Sequence, residues 1–199
     1  FSVASKQLGR EDERDLFPEA IRLVKEMHPR AAMFENVRGF LDPKFTDYRE
    51  HILNSIKELG YKTHIKLLNA NDFGVPQLRP RVVIVAIRDD IKAEFQYPDG
   101  CNSNTPSVGE ALKELMGATI VGGSKKHGGP DLGPVRARMA WAELGIDGTG
   151  VANEAPSRDF SGTPKLTKEM IALIQGFPSE WTFGSKKTAA CRMIGNAFP

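Results

Sequence analysis

Cysteine is scarce in this sequence of 199 residues, which holds only Cys101 and Cys191. Two cysteines cannot staple a disulfide scaffold, and no Cys/His cluster has zinc spacing, so no metal is expected. That usage fits a reducing, cytoplasmic compartment. Long hydrophobic runs are missing as well. The longest of note, VVIVAI at 82–87, has six residues, far short of a bilayer span, so no membrane partner is expected. An excess of one charge is also absent, because 27 Lys and Arg face 25 Asp and Glu for a net charge of +2. That excludes a polycationic tail, and nucleic acid could be held only by local basic patches. The chain opens on Phe1 rather than methionine, so the lack of a signal peptide carries little weight and an upstream segment is expected to be missing.

What is present suits a globular α/β chain long enough to bury a core. DLFPEAIRLVKEM, 15–27, puts Phe17, Ile21, Val24 and Met27 on one helical face, and His28-Pro29 ends it. AAMF, 31–34, reads as a short buried strand. TDYREHILNSIKELG predicts a second helix with Thr46 as N-cap, Ile52, Ile56 and Leu59 inward, and Gly60 as C-cap. YKTHIKLLNA, 61–70, alternates like a half-exposed strand, and RVVIVAI, 81–87, is β-branched and continuous like a central one. Three strands are few for a doubly wound sheet, so this reads as the second half of one. Beyond Asp90 the chain becomes rich in Gly and Pro with weak periodicity, a long loop or a small separate domain. Helical signals return at 166–177 and at 185–194, where Gly195 terminates the helix.

Three polar clusters stand out. Glu35-Asn36-Val37 lies at the C-terminal end of a strand, where α/β sheets place ligands. QLRPR, 77–81, spaces Gln77, Arg79 and Arg81 at alternate positions, which on a strand puts all three on one face. IGNAFP, 194–199, ends a helix in a glycine turn followed by an amide. Each has a bland counterpart: a solvated glutamate, surface ion pairs worth little, a Schellman-type cap.

Their order resembles the cytosine-5 DNA methyltransferases, from just after the Pro-Cys motif to the last Gly-Asn motif. FSVASKQLGREDERDLF is similar to the loop that follows the catalytic cysteine, FENV to the Glu-Asn-Val motif and QLRPR to the Gln-x-Arg-x-Arg motif. LTKEMIALIQGFPSEWTF is similar to the helix after the target-recognition region, and IGNAFP to the closing motif. The resemblance implies the C-terminal half of a doubly wound, Rossmann-like methyltransferase sheet with a small inserted target-recognition domain. Residues 1–90 would be part of the catalytic domain, 91–160 the recognition domain, and 161–199 helices returning to the catalytic domain.

The same resemblance implies roles for residues. Carbon 5 of cytosine is a poor nucleophile, activated in this family by addition of a cysteine thiolate at carbon 6. Glu35 would hold a proton at ring nitrogen 3, Arg81 would bond the ring carbonyl and pair with Glu35, Asn36 would brace the cysteine loop, and Arg79 would steady that loop or a phosphate. Gly195 and Asn196 would edge the pocket for S-adenosylmethionine, the methyl donor. The base would be flipped out of double-stranded DNA. Ser2, Lys6, Gln7, Arg10 and Gln77 would contact DNA, as would Lys125, Lys126, Arg136 and Arg138, which in 121–145 face only Asp131 and Glu143. Neither the Phe-x-Gly-x-Gly motif nor Pro-Cys is present, and Cys101 and Cys191 read as structural. The chain alone is therefore expected to be inactive, part of a prokaryotic restriction–modification enzyme whose N-terminal part is a possible missing partner. An RNA methyltransferase of the same family and a non-catalytic DNA-binding homologue are the alternatives. A generic nucleotide-binding domain explains none of the three clusters.

Overall fold

The computed structural model describes residues 15–100, 131–157 and 160–198. The chain divides into two compact units, Phe1–Leu68 with Pro80–Asp99, and Asn69–Arg79 with Gly100–Pro199.

The first unit is a three-stranded sheet faced by helices, so the α/β class read from the sequence holds. Helix α1 spans Phe17–Met27 and β1 Ala31–Val37. Helix α2 spans Thr46–Glu58, β2 Tyr61–Asn69 and β3 Pro80–Arg88. The strand order is β1-β3-β2, which puts the β-branched run in the centre as expected. β1 and β3 are antiparallel, from Ala31 opposite Ile87 to Val37 opposite Arg81. β2 and β3 close as a hairpin, with Ala70 N donating to Arg79 O and Asp89 N to Gly60 O.

Alternation then sorts the side chains. Val82, Ile84 and Ala86 point toward a core made with Phe17 and Val24 of α1, Ile52 and Ile56 of α2, Phe40 and Tyr61. The Phe17 ring stacks on Phe40 with centroids 5.2 Å apart. Four local expectations need correction. Met27, in the last turn of α1, is 71% exposed rather than inward. AAMF is the start of an outer strand and not a buried one: Met33 is 61% exposed, and pairing runs on through Glu35 to Val37. Thr46 is the first residue of α2 and not its cap, and its hydroxyl accepts from Arg49 instead. Gly60 does turn the chain, in the left-handed region at φ +84°, but one residue after the C-cap Leu59.

The second unit packs helix α3 (Val135–Glu143), α4 (Lys168–Ile174) and α5 (Lys187–Asn196). Its core joins Leu132, Trp141, Ile146, Val151, Leu166, Ile171, Ile174, Cys191 and Ile194. Helix α3 escaped the sequence reading because only Trp141 of its nine residues is buried, leaving no apolar stripe to detect. Thr167 caps α4, its hydroxyl accepting from Met170 N at 3.2 Å. Gly195 does not terminate α5. It is helical and buried, and the chain leaves the helix at Ala197 in an extended conformation, so the glycine-turn reading of IGNAFP is wrong.

Candidate active site

Antiparallel register explains how β1 and β3 bring two charges together. Glu35 sits opposite Val83 and Arg81 opposite Val37, so Glu35 and Arg81 are diagonal neighbours on one face. Arg81 Nε donates to Glu35 Oε1 at 2.5 Å, and a second guanidinium nitrogen donates to Pro80 O at 2.9 Å. The Arg81 side chain is only 14% exposed, against 35% for Glu35. Burial lowers the Arg81 pKa from its ordinary value, and the Glu35 carboxylate opposes that shift. Among the described residues Arg81 is the one ion-pair partner of Glu35. The carboxylate is therefore anchored on one side and open to solvent on the other.

That open side borders a cavity of about 380 Å³, walled by residues 34–37 of β1, by Ala20 and by residues 15–17 leading into α1. Asp15 fixes this wall: its carboxylate accepts from Phe17 N at 3.1 Å and from the Tyr48 hydroxyl of α2. Asn36 also lines the cavity, its Oδ1 accepting from Val37 N at 2.8 Å. An anchored carboxyl beside a fixed guanidinium offers a planar ligand both donors and an acceptor along one edge.

The other two residues of QLRPR go elsewhere. The strand begins only at Pro80, so Gln77 and Arg79 precede it and belong to the second unit. The expectation of one shared face fails for that reason. Both are buried, and neither is at a surface a duplex or a phosphate could reach. Gln77 Nε2 donates to Gln175 Oε1 at 2.9 Å and to Ile174 O at 3.4 Å. Arg79 donates to Gly195 O at 2.9 Å and Ala197 O at 3.2 Å, so it holds the end of α5. Asn196, between those two carbonyls, is exposed. Gln175, which completes this network by donating to Ala197 O at 2.9 Å, was not singled out by sequence reading. A buried glutamine at a helix end carries no pattern signal.

Arg136 and Arg138 lie on α3 and not in a glycine-rich loop. Arg136 is exposed; Arg138 is half-buried, and its backbone passes so close to Gly148 that a Cβ there would meet Arg138 Cα at 3.2 Å. Ser2, Lys6, Gln7, Arg10, Lys125 and Lys126 lie outside the described residues, as does Cys101. Cys191 is buried in the second core, where desolvation pushes its thiol pKa up, the setting of an inert thiol. Among the described residues no His/Cys/Asp/Glu group could hold a metal, and no helix is long and apolar enough to cross a membrane.

The family model for C-5 cytosine-specific DNA methylase matches residues 1–132 and 133–199. Type II methyltransferase M.NaeI of Lentzea aerocolonigenes is 50% identical, aligned over 100% of this chain and 53% of its own length. Type II methyltransferase M.NgoMIV of Neisseria gonorrhoeae is 43% identical over 100% of this chain and 70% of its own. The chain thus spans about half the length of the first relative and more than two thirds of the second. Among solved structures, a DNMT2 variant of Spodoptera frugiperda superposes with a TM-score of 0.59 at 14% identity, over 99% of this chain and 71% of the other. That likeness concerns the fold alone.

Proposed function

The chain belongs to the C-5 cytosine-specific DNA methylase family, and on that premise we propose that it is the base-holding and DNA-reading part of a DNA (cytosine-5-)-methyltransferase. The observation that carries this reading is the Glu35–Arg81 pair, 2.5 Å apart, with the carboxylate open to solvent beside the cavity. A solvated surface glutamate would not be anchored by a guanidinium that is itself largely buried.

A cytosine flipped out of double-stranded DNA presents ring nitrogen 3 and its exocyclic amine along one edge, with the ring carbonyl beside them. Glu35 holds a proton at nitrogen 3 and accepts from the amine, while Arg81 donates to the carbonyl and keeps Glu35 in place. This relieves the electron density that builds up when a cysteine thiolate adds at carbon 6. Neither cysteine of this chain lies in a Pro-Cys context, so that nucleophile comes from a longer parent protein. Asn36, next to Glu35 at the end of β1, braces the cysteine loop of that parent while its Oδ1 accepts from Val37 N.

S-adenosylmethionine, when bound, supplies the methyl group. Of its site only the Gly195–Asn196 edge falls here, and its chemistry fits: the exposed Asn196 amide offers both a donor and an acceptor to a polar ligand. Arg79 supports that edge from behind rather than a phosphate, and Gln77 belongs to the same support. Residues 91–160 act as the target-recognition domain, with Arg136 exposed toward DNA and Lys125 and Lys126 as further phosphate contacts. Ser2, Lys6, Gln7 and Arg10 contact the DNA around the flipped base. The parent works in a bacterial cytoplasm as the methyltransferase of a restriction–modification system.

The isolated 199-residue chain is expected to transfer no methyl group from labelled S-adenosylmethionine to DNA, since its remaining groups only polarise the ring. Adding the N-terminal part of the parent should restore incorporation. Methylation of cytosine by the chain alone would overturn the assignment of the nucleophile to another segment.

A further inference from the structure

We propose that Gln175 is a positioning residue for the Gly195–Asn196 edge, acting through the backbone of Ala197; the inference rests on the reading of that edge as the cofactor side of the site. Gln175 follows α4 directly and is 1% exposed. Its Nε2 donates to Ala197 O at 2.9 Å while its Oε1 accepts from Gln77 Nε2 at 2.9 Å. Gln77 also donates to Ile174 O, which orients its amide so that the nitrogen faces Gln175. That in turn presents the Gln175 oxygen to Gln77 and its nitrogen to Ala197. The orientation is relayed along two amides, and only glutamine at 175 both accepts and donates in this way.

The end of the relay is where position matters. Helix α5 stops at Asn196, and Ala197 leaves it in an extended conformation, so its carbonyl has no helical partner to hold it. Arg79 and Gln175 together hold that carbonyl, and Arg79 holds the Gly195 carbonyl on the other side of Asn196. Both supports are buried, while Asn196 between them is exposed. A last helical turn without such ties frays, and the direction of the Asn196 amide would spread with it.

The test uses the parent protein carrying this sequence and three variants, Gln175→Leu, Gln175→Glu and Asn196→Ala. Binding of S-adenosylmethionine is measured by titration calorimetry, with steady-state kinetics in parallel. Gln175→Glu keeps the acceptor for Gln77 but has no donor for Ala197, so it serves where the leucine variant does not fold. Either Gln175 variant should raise the cofactor Kd about 5- to 10-fold, the weight of one buried hydrogen bond. KM for the cofactor should rise in step, with kcat at saturating cofactor held within about twofold. A purely structural role would lower the melting temperature without that split. If Asn196→Ala weakens binding and Gln175→Glu does not, the role given to Gln175 is wrong and the edge stands. If Asn196→Ala itself binds normally, the edge was misread and the inference falls with it.

Discussion

Replacing Glu35 by glutamine in the parent protein should lower methyl transfer by about 10²- to 10⁴-fold, the usual weight of a positioned general acid–base group. The amide still occupies the same volume and its oxygen still accepts from Arg81, so the ion pair becomes an ordinary hydrogen bond. What it cannot do is exchange a proton with ring nitrogen 3. DNA affinity should stay close to that of the unaltered protein, because the base can still bind without that proton transfer. Folding should suffer little: Glu35 is 35% exposed on an outer strand, and the largely buried guanidinium keeps an oxygen partner. The stability cost is about 1 kcal/mol, the loss of the anionic partner from a bond that the guanidinium still donates, discounted for exposure. Transfer within about tenfold of the unaltered rate would remove Glu35 from the chemistry.

The largest loss of stability is expected at Trp141→Ala, at about 3–5 kcal/mol. Trp141 is fully buried and is the side chain of α3 that joins the core of the second unit. Its indole Nε1 has no hydrogen-bond partner among the described residues, so the loss is one of apolar contact and a cavity rather than of a bond. Trp141→Phe separates the two contributions. It keeps most of the ring, deletes the unmatched N–H, and should cost about 1 kcal/mol or less. Denaturant unfolding followed by circular dichroism reads both, since Trp181 would be the one tryptophan left for fluorescence and it is already exposed. Alanine at 141 costing less than about 1 kcal/mol would mean the second core is not built around this ring.

The elements that could be read from sequence share a physical property: their apolar residues repeat with the period of the structure they form. The run 81–87 is continuous because β3 is central, and Ile52 and Ile56 recur at one turn because α2 buries one stripe. Helix α3 has no such stripe and was missed. Position within the sheet was harder, because AAMF looks buried by composition and only the strand order shows that β1 is an outer strand. Gly195 misled through its type. Glycine usually marks a helix end because it tolerates a left-handed φ, yet here it lies inside the final turn of α5.

The site shows the same division. Glu35 and Arg81 were legible because their motifs resemble those of a known family, which implied the pair, and antiparallel strand register brings them together in the structure. Arg79 has the same spacing from Arg81 that Gln77 has from Arg79, but alternation means one face only within a strand. Pro80, which has no N–H to give a ladder, begins β3 and ends that inference. The network that followed, with Gln175 at its centre, depends on residues about 100 positions apart. No local pattern encodes such a contact.

That this chain holds cytosine for methylation in duplex DNA is tested by product analysis. The parent protein is incubated with labelled S-adenosylmethionine and either duplex DNA or tRNA, and the methylated base and its position are determined. The expected result is 5-methylcytosine at a defined site in the duplex, none in tRNA, and loss of the product with Glu35→Gln. Methylation of tRNA alone, or tight DNA binding with no methylated base, would contradict it.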